Sequence, residues 1–324
     1  MGLLDRVTVM RRLVVMAHYD AAGLVAPHVL RQVTALADVA ERLIVVSTAT
    51  LQSGARAALS ARADLVTRPN VGYDFFSYRT GLDVAGDLSG YDQVIICNDS
   101  FVGPLTPYAR ILAAMDARDC DFWGMTQTDR RGRHAQSYFV AFRGACVRSA
   151  AFAAFWRAME PVNDRAEVIT RYELGLSRTL QDAGFRLGSY FTETPRDRRV
   201  ARARHLWFAA QSLRRLPPHR RRRAVRRMPF EPWNPVSALA DRALIDGPDG
   251  PRLPLVKIDT LRYDPYGLGA QRLLTACERR YPDAFAGVRE FLARTSPAYP
   301  VRPGERTGEA VAPALVRHTI GYAR

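Results

Sequence analysis

Two hydrophobic periods alternate along the first half of the chain. Leu13-Val14-Val15-Met16-Ala17 is a continuous apolar run closed by His18-Tyr19-Asp20, the pattern of a strand buried on both faces with polar groups at its carboxyl end. Apolar residues then recur at helical spacing over 27–40 (Val29, Val33, Leu36, Val39). Arg42–Ser47 reads as a second buried strand, 52–61 as a helix, 65–67 as a short strand and 75–85 as a helix. A strong strand over 91–97 is stopped by Asn98-Asp99-Ser100. Strands separated by helices predict right-handed crossovers and a mostly parallel α/β sheet covered on both faces.

The pattern loosens further on. Residues 121–126 and 136–142 read as strands around a polar loop over 129–134. Ile169, Tyr172, Leu176, Leu180 and Ala183 step by three and four, an amphipathic helix ending before Gly184. Beyond Pro229 come a Pro-rich connection, an apolar strand over 253–258, a helix over 269–280 and a Pro/Gly/Arg-rich tail from Pro297. These shifts divide the chain into a core over 1–195, an Arg-rich amphipathic segment over 196–232, an accessory part over 233–296 and a loose tail over 297–324.

Charge adds one feature. The chain of 324 residues carries 47 basic and 32 acidic side chains, a net +15, and Lys257 is its one lysine. Thirteen arginines and a single acid, Asp197, fall between Arg196 and Arg227, so one segment holds +12 of that excess and the rest is nearly neutral. With 48% hydrophobic residues the chain can bury a core, which excludes disorder for most of it. No apolar run approaches the roughly 20 residues of a membrane span. The sequence Met1-Gly2-Leu3-Leu4-Asp5-Arg6 lacks the features of a signal peptide. Cys97, Cys120, Cys146 and Cys277 are scattered, which fits a reducing cytoplasm.

Ligands of open α/β sheets bind outside the carboxyl ends of the strands. Polar clusters stand there three times: His18-Tyr19-Asp20, Asn70-Val71-Gly72-Tyr73-Asp74 and Asn98-Asp99-Ser100. Singly, each has a plain alternative, Asn98-Asp99-Ser100 as a turn and helix cap, Asn70 with Gly72 as a simple turn. Their joint position favours one shared crevice. Glycine-rich dinucleotide and P-loop fingerprints, metalloprotease and serine-elbow motifs and His/Cys metal clusters are absent from the sequence. The remaining set of Asp, Asn, Ser and Arg suits a ribose and a diphosphate, with a divalent ion on oxygen ligands.

Several blocks in series carry a family resemblance. They are Asn70-Val71-Gly72-Tyr73-Asp74-Phe75-Phe76-Ser77-Tyr78-Arg79-Thr80-Gly81-Leu82, Cys97-Asn98-Asp99-Ser100-Phe101-Val102-Gly103-Pro104-Leu105, Cys120-Asp121-Phe122-Trp123-Gly124 and His134-Ala135-Gln136-Ser137-Tyr138-Phe139. Asn234-Pro235 and Pro254-Leu255-Val256-Lys257 extend them. Together they resemble the rhamnan-synthesis F family, bacterial glycosyltransferases of rhamnose-containing surface polysaccharides, over roughly Leu13 to Tyr263. The resemblance implies a GT-A-like (Rossmann-like) α/β/α sandwich with a smaller, mainly helical C-terminal part. It implies a nucleotide pocket lined by His18, Tyr19, Asp20, Asn70, Gly72, Asp74 and Arg79, with Asn98, Asp99 and Ser100 where GT-A enzymes carry Asp-x-Asp. Only Asp99 is a carboxylate there, so Mg²⁺ or Mn²⁺ at Asp99 is an open expectation. His134, Gln136 and Ser137 would face the sugars, and Glu173 would be the general base, with Asp20 and Asp74 as rivals and a solvated helix carboxylate as the plain alternative.

The implied reaction is transfer of a sugar, rhamnose from a donor such as dTDP-rhamnose, to a glycan or lipid-linked glycan. A non-catalytic nucleotide- or sugar-binding module on the same fold is the alternative, and nucleic-acid binding ranks below both because no nucleic-acid module accompanies the arginines. The arginines of 196–227 interleave with Leu206, Trp207, Phe208, Leu213 and Leu216, a composition suited to the anionic inner face of the plasma membrane, or to a solvated connector.

Overall fold

A computed structural model describes residues 10–129, 131–214, 217–219, 235–245, 250–298 and 321–322. The N-terminal residues 1–9, the Arg220–Arg227 run and most of the tail from Pro297 lie outside the described residues. The described chain separates into two compact units. The first comprises residues up to Val25, Val33–Asp99 and Tyr108–Ser189, and the second comprises Ala26–Gln32, Ser100–Pro107 and the chain from Tyr190.

The strands are β1 (Arg12–His18), β2 (Arg42–Ser47), β3 (Asp64–Thr67), β4 (Gln93–Asn98), β5 (Phe101–Val102), β6 (Phe122–Gly124), β7 (Gln127–Thr128), β8 (His134–Ala135), β9 (Phe139–Arg143), β10 (Leu187–Ser189) and β11 (Val256–Lys257). The first helices are α1 (Pro27–Ala37), α2 (Ser53–Ser60), α3 (Tyr73–Ala85), α4 (Tyr108–Asp116), α5 (Gly144–Val147), α6 (Ala150–Arg157), α7 (Arg165–Val168) and α8 (Leu174–Asp182). The expected α/β class holds. Unit one is built on a seven-stranded sheet of order β10-β6-β9-β4-β1-β2-β3. β4, β1, β2 and β3 pair in parallel, as do β6 and β10, while β9 runs antiparallel between β4 and β6. The apolar runs of β1, β2 and β4 are buried on both faces, as continuous hydrophobic strands require.

One face carries Leu13, Val15, Ile44, Val46, Val94 and Ile96 against Phe75, Tyr78 and Leu82 of α3 and Phe152, Trp156, Tyr172 and Leu176 of later helices. Helix α3 lies unusually close to β1: a Cβ built on Gly81 would come within 2.3 Å of Val15 Cγ1, so only glycine fits there. On the opposite face, Tyr108 of α4 stacks on Phe139, with ring centroids 5.5 Å apart. The amphipathic pattern around Tyr172 forms α7 and α8 joined by a π-helical turn, Ile169–Glu173, in which Tyr172 is buried. β7 and β8 form a small antiparallel hairpin in the polar stretch between β6 and β9.

Unit two is mainly helical, with one antiparallel ladder between β5 and β11. The longest helix among its described residues, α9 (Pro195–Arg214), contains much of the basic segment. Arg196, Arg198, Arg199 and Arg202 are exposed, but Asp197, Ala201, Arg204, His205 and Ala209, at helical spacing, are buried. The buried face is therefore only partly apolar. Leu206, expected on the apolar side, is 47% exposed, and Trp207 and Phe208 are half-buried. Asp197, the one acid of the segment, lies buried at a junction of Thr194, Arg242 and Arg252. Burial alone would raise its pKa; the hydrogen bonds from Thr194 and the two arginines instead hold it down to about 2. Arg204 is buried against Asp241 through two charge-assisted bonds of 2.7 and 2.9 Å, and also donates to the carbonyls of Ala238 and Gly321. No described helix is long and apolar enough to cross a membrane.

Candidate functional site

Strand order reverses between β1 and β4, because β2 and β3 extend to one side of β1 and β4 leads to the other. Such a reversal opens a crevice at the carboxyl ends of the two strands. The register places His18 beside Ser47, Ser47 beside Thr67, and Asn98 beside Ala17. The predicted polar endings of β1 and β4 therefore do share one edge. There the Tyr19 amide donates to Asp99 Oδ2 at 2.8 Å, linking the ends of the two strands. Asn98 Nδ2 donates to Asp74 Oδ2 at 2.8 Å, which brings the first turn of α3 to the same place. Asp20 Oδ1 accepts the amides of Ala22 at 2.8 Å and Leu24 at 3.4 Å, holding the turn after β1.

His18 is buried, with Nδ1 3.0 Å from Ser47 Oγ. Burial lowers its pKa to about 4, Asp20 opposing only in part, so the ring is neutral at pH 7.

The loop before α3 is shaped by Gly72 and Arg68. Gly72 adopts φ 74°, and a Cβ there would meet Phe76 Cβ at 2.6 Å, so the turn depends on glycine. Its amide donates to Asn163 Oδ1 at 2.9 Å. Arg68, which the sequence reading did not single out, donates to the carbonyls of Pro69, Val71 and Tyr73 and to Ser77 Oγ. Asn70 is exposed on this loop. Arg79, which the resemblance places in the nucleotide pocket, donates to the Met159 carbonyl and lies 3.5 Å from Asp83. Ser100 belongs to unit two, where its carbonyl accepts the Ile258 amide at 2.9 Å.

Because β9 is antiparallel, its amino end lies at the edge where the parallel strands finish: the Asn98 amide donates to the Tyr138 carbonyl at 3.1 Å. That brings in Gln136, Ser137, His134 and Glu173. Gln136 Oε1 lies 2.7 Å from Thr126 Oγ1, which is 2.5 Å from the Tyr138 hydroxyl. The buried Tyr78 hydroxyl donates to the Ser137 carbonyl at 3.0 Å. Glu173 Oε2 accepts both the hydroxyl and the amide of Ser137, while Oε1 lies 3.4 Å from His134 Nε2.

The protonation of this pair follows from its geometry. His134 Nδ1 is 2.7 Å from the Gly132 carbonyl, so it must donate. A neutral ring would then aim the Nε2 lone pair at the Glu173 carboxylate; protonation removes that repulsion. Burial opposes charge on His134, but the bond to Glu173 and the Gly132 carbonyl raise its pKa. Burial likewise opposes ionisation of Glu173, and His134 and Ser137 outweigh it, lowering the pKa. Glu173 is thus an ionised, oriented carboxylate at the end of a π turn, a distortion often found at functional sites. Among the described residues no group of three or more His, Cys, Asp or Glu side chains is placed to hold a metal ion.

Fold and edge together define an α/β protein with an open, mostly parallel sheet and a polar site at its switch point. Its sequence matches the family described as rhamnan synthesis protein F over residues 43–228, more than half of the chain. The chain belongs to that family. Two curated relatives are an uncharacterized protein, y4gN, of Sinorhizobium fredii (strain NBRC 101917 / NGR234), 28% identical over 132 residues, and virulence protein VirA of Vibrio anguillarum, 30% identical over 126 residues. These alignments cover 39% and 37% of this chain, and the chain spans only 34% and 40% of the two relatives. Among solved structures, a nucleotidyl transferase from Methanothermobacter thermautotroptrophicus aligns over 56% of this chain and 86% of its own (TM-score 0.36, 15% identity). Glucosyl-3-phosphoglycerate synthase from Mycobacterium tuberculosis aligns over 63% and 79% (TM-score 0.33, 13% identity).

Proposed function

We propose that the chain transfers a sugar from a nucleotide-activated donor to a hydroxyl of a growing surface glycan, with rhamnose as the sugar and dTDP as its carrier. The observation that carries this reading is the meeting of Asp99, Asn98, Asp74 and the neutral His18 at the β1/β4 switch point, in a member of the rhamnan synthesis family. The donor's ribose and diphosphate occupy that edge. Glu173 accepts the proton of the acceptor hydroxyl, and Ser137 and His134 hold it in place. Asp99 is the residue that would hold Mg²⁺ or Mn²⁺. One carboxylate suffices where substrate phosphates supply the other charged ligands, and the ion would offset diphosphate charge.

A panel of nucleotide sugars with and without Mg²⁺ or Mn²⁺ tests the reading. One donor is expected to support transfer, and Asp99→Asn to lower its turnover at least ~100-fold, the scale of losing a charge-stabilising group. Binding of dTDP without turnover of any donor would instead favour a non-catalytic nucleotide-binding module, the reading that a lone carboxylate at Asn98-Asp99-Ser100 keeps in play.

The place of work we assign is the cytoplasmic face of the membrane. The exposed Arg196, Arg198, Arg199 and Arg202 of α9 support it by charge, at about 1 kcal/mol per basic residue near an anionic surface. Sedimentation with vesicles containing anionic lipid is expected to carry the protein down at low salt and to release it at high salt. Failure to sediment at low salt removes membrane docking.

A further inference from the structure

A small cavity of about 200 Å³ lies beside the hairpin β7–β8 and the helix α8. Its wall includes Arg131, Arg133, Arg178, His134, Gln181 and Asp182. His134 spends both ring nitrogens elsewhere, on Gly132 and Glu173, and Glu173 offsets its charge. The excess positive charge of the cavity is therefore that of three arginines against Asp182. Arg133 is braced from behind, its guanidinium 3.3 Å from Gln127 Oε1 and from the Leu187 carbonyl. Gln181 Nε2 donates to the carbonyls of Arg133 and Ser177, at 3.1 and 2.9 Å, which ties the hairpin to α8. Arg131 and Arg178 are exposed, and among the described residues no carboxylate lies within ion-pair distance of either. Two guanidinium forks thus stand over a braced, concave, cationic wall.

Size narrows the ligand. Pockets for drug-sized molecules run from about 300 Å³ upward, so this one takes a compact group and not a whole nucleotide sugar. Arginine forks suit the oxygens of phosphate, to which they bond bidentately. Position narrows it further: His134 forms part of this wall and also contacts Glu173, so a group held here is separated from that carboxylate by a single imidazole.

We infer that the cavity binds the phosphate of a phosphorylated sugar unit of the acceptor glycan, through Arg131 and Arg178. Naming that ligand as the acceptor rests on the transferase reading; the phosphate site does not.

Isothermal titration of the full chain with glucose 1-phosphate, and separately with dTDP, tests it. Glucose 1-phosphate is expected to bind, to be displaced by inorganic phosphate, and to lose at least tenfold in affinity in Arg131→Ala/Arg178→Ala, whose dTDP affinity stays within twofold of the parent. Arg178→Lys, which keeps charge but not the fork, is expected to fall between the two. No binding of glucose 1-phosphate by a chain that binds dTDP overturns the subsite and leaves the donor reading standing. Binding of glucose 1-phosphate by a chain that binds no dTDP supports the subsite and removes the donor reading. Equal affinity for glucose 6-phosphate and glucuronate would overturn phosphate selectivity. Capture of phosphatidic acid vesicles that depends on the two arginines, with no binding of the soluble ester, would overturn the sugar-phosphate assignment in favour of a lipid headgroup.

Discussion

Replacing Glu173 with Gln is expected to lower sugar transfer by about 10²–10⁴-fold, the usual contribution of a positioned base, with donor binding unchanged. The amide cannot take the proton, and it also cannot satisfy its neighbours. The carboxylate accepts from Ser137 through one oxygen and faces His134 with the other, whereas one end of Gln carries hydrogens that would oppose one of these donors. Stability should therefore change with pH as well. Glu173 has a lowered pKa, so its contribution is complete above the ordinary 4.5 and is lost as pH falls through the folded value. His134 has a raised pKa, so its contribution is complete below the ordinary 6.5 and is lost as pH rises through the folded value. The stability difference between parent and variant should thus be greatest between about 4.5 and 6.5. Denaturant midpoints across pH measure it, and single-turnover transfer measures the chemistry. Turnover within tenfold of the parent would remove Glu173 as the base.

The second large effect concerns unit two. Asp241→Ala removes the carboxylate that takes two bonds from Arg204, the two side chains being 6% and 1% exposed. Removing one member of a buried ion pair costs about 3–5 kcal/mol, because the remaining charge stays desolvated. Two carbonyls, of Ala238 and Gly321, and the ring of Tyr322, 5.6 Å from the guanidinium carbon, would still face Arg204 but do not neutralise it. Replacing both members, as Arg204→Met with Asp241→Leu, should recover most of the loss, since a buried pair exchanged for apolar side chains is often near neutral. Urea unfolding of the two variants checks this. A loss below about 1 kcal/mol for Asp241→Ala would mean that the charge of Arg204 is met without Asp241.

These two sites mark what could be read from the sequence. The parallel strands were legible because strands buried on both faces write themselves as unbroken apolar runs, as 13–17 and 93–97 do, and their polar endings follow directly. The direction of β9 was not, since Phe139–Arg143 has the same composition whichever way it runs. The role of Arg68 is not legible in the sequence because it acts on backbone carbonyls, which no side-chain motif records. The isolated Arg before Pro69-Asn70-Val71-Gly72 was its one trace. The family blocks place Arg79 in the nucleotide pocket but say nothing of the Met159 carbonyl that its guanidinium meets. In α9 the helical spacing of Asp197, Ala201, Arg204 and Ala209 was visible, but two of its buried positions carry charge, so a hydrophobicity pattern could not reveal that face. The proposed membrane attraction therefore cannot count Arg204, whose charge is met by Asp241 inside unit two.

The reversed strand β9 has a consequence for how such a site can diversify. Its pairing with β4 fixes Phe139 opposite Cys97 and Arg143 opposite Gln93. The stretch between β6 and β9 is thereby a tether with both ends anchored, and a surface connection lengthens at small cost, about 0.6 kcal/mol per doubling. The β1 and β4 endings, by contrast, are locked to each other through Asp99 and Tyr19 and have no such slack. One side of the edge is built to stay constant, while the exposed turn between β7 and β8, which carries Arg131, can lengthen without moving His134, Ser137 or a strand of the seven-stranded sheet.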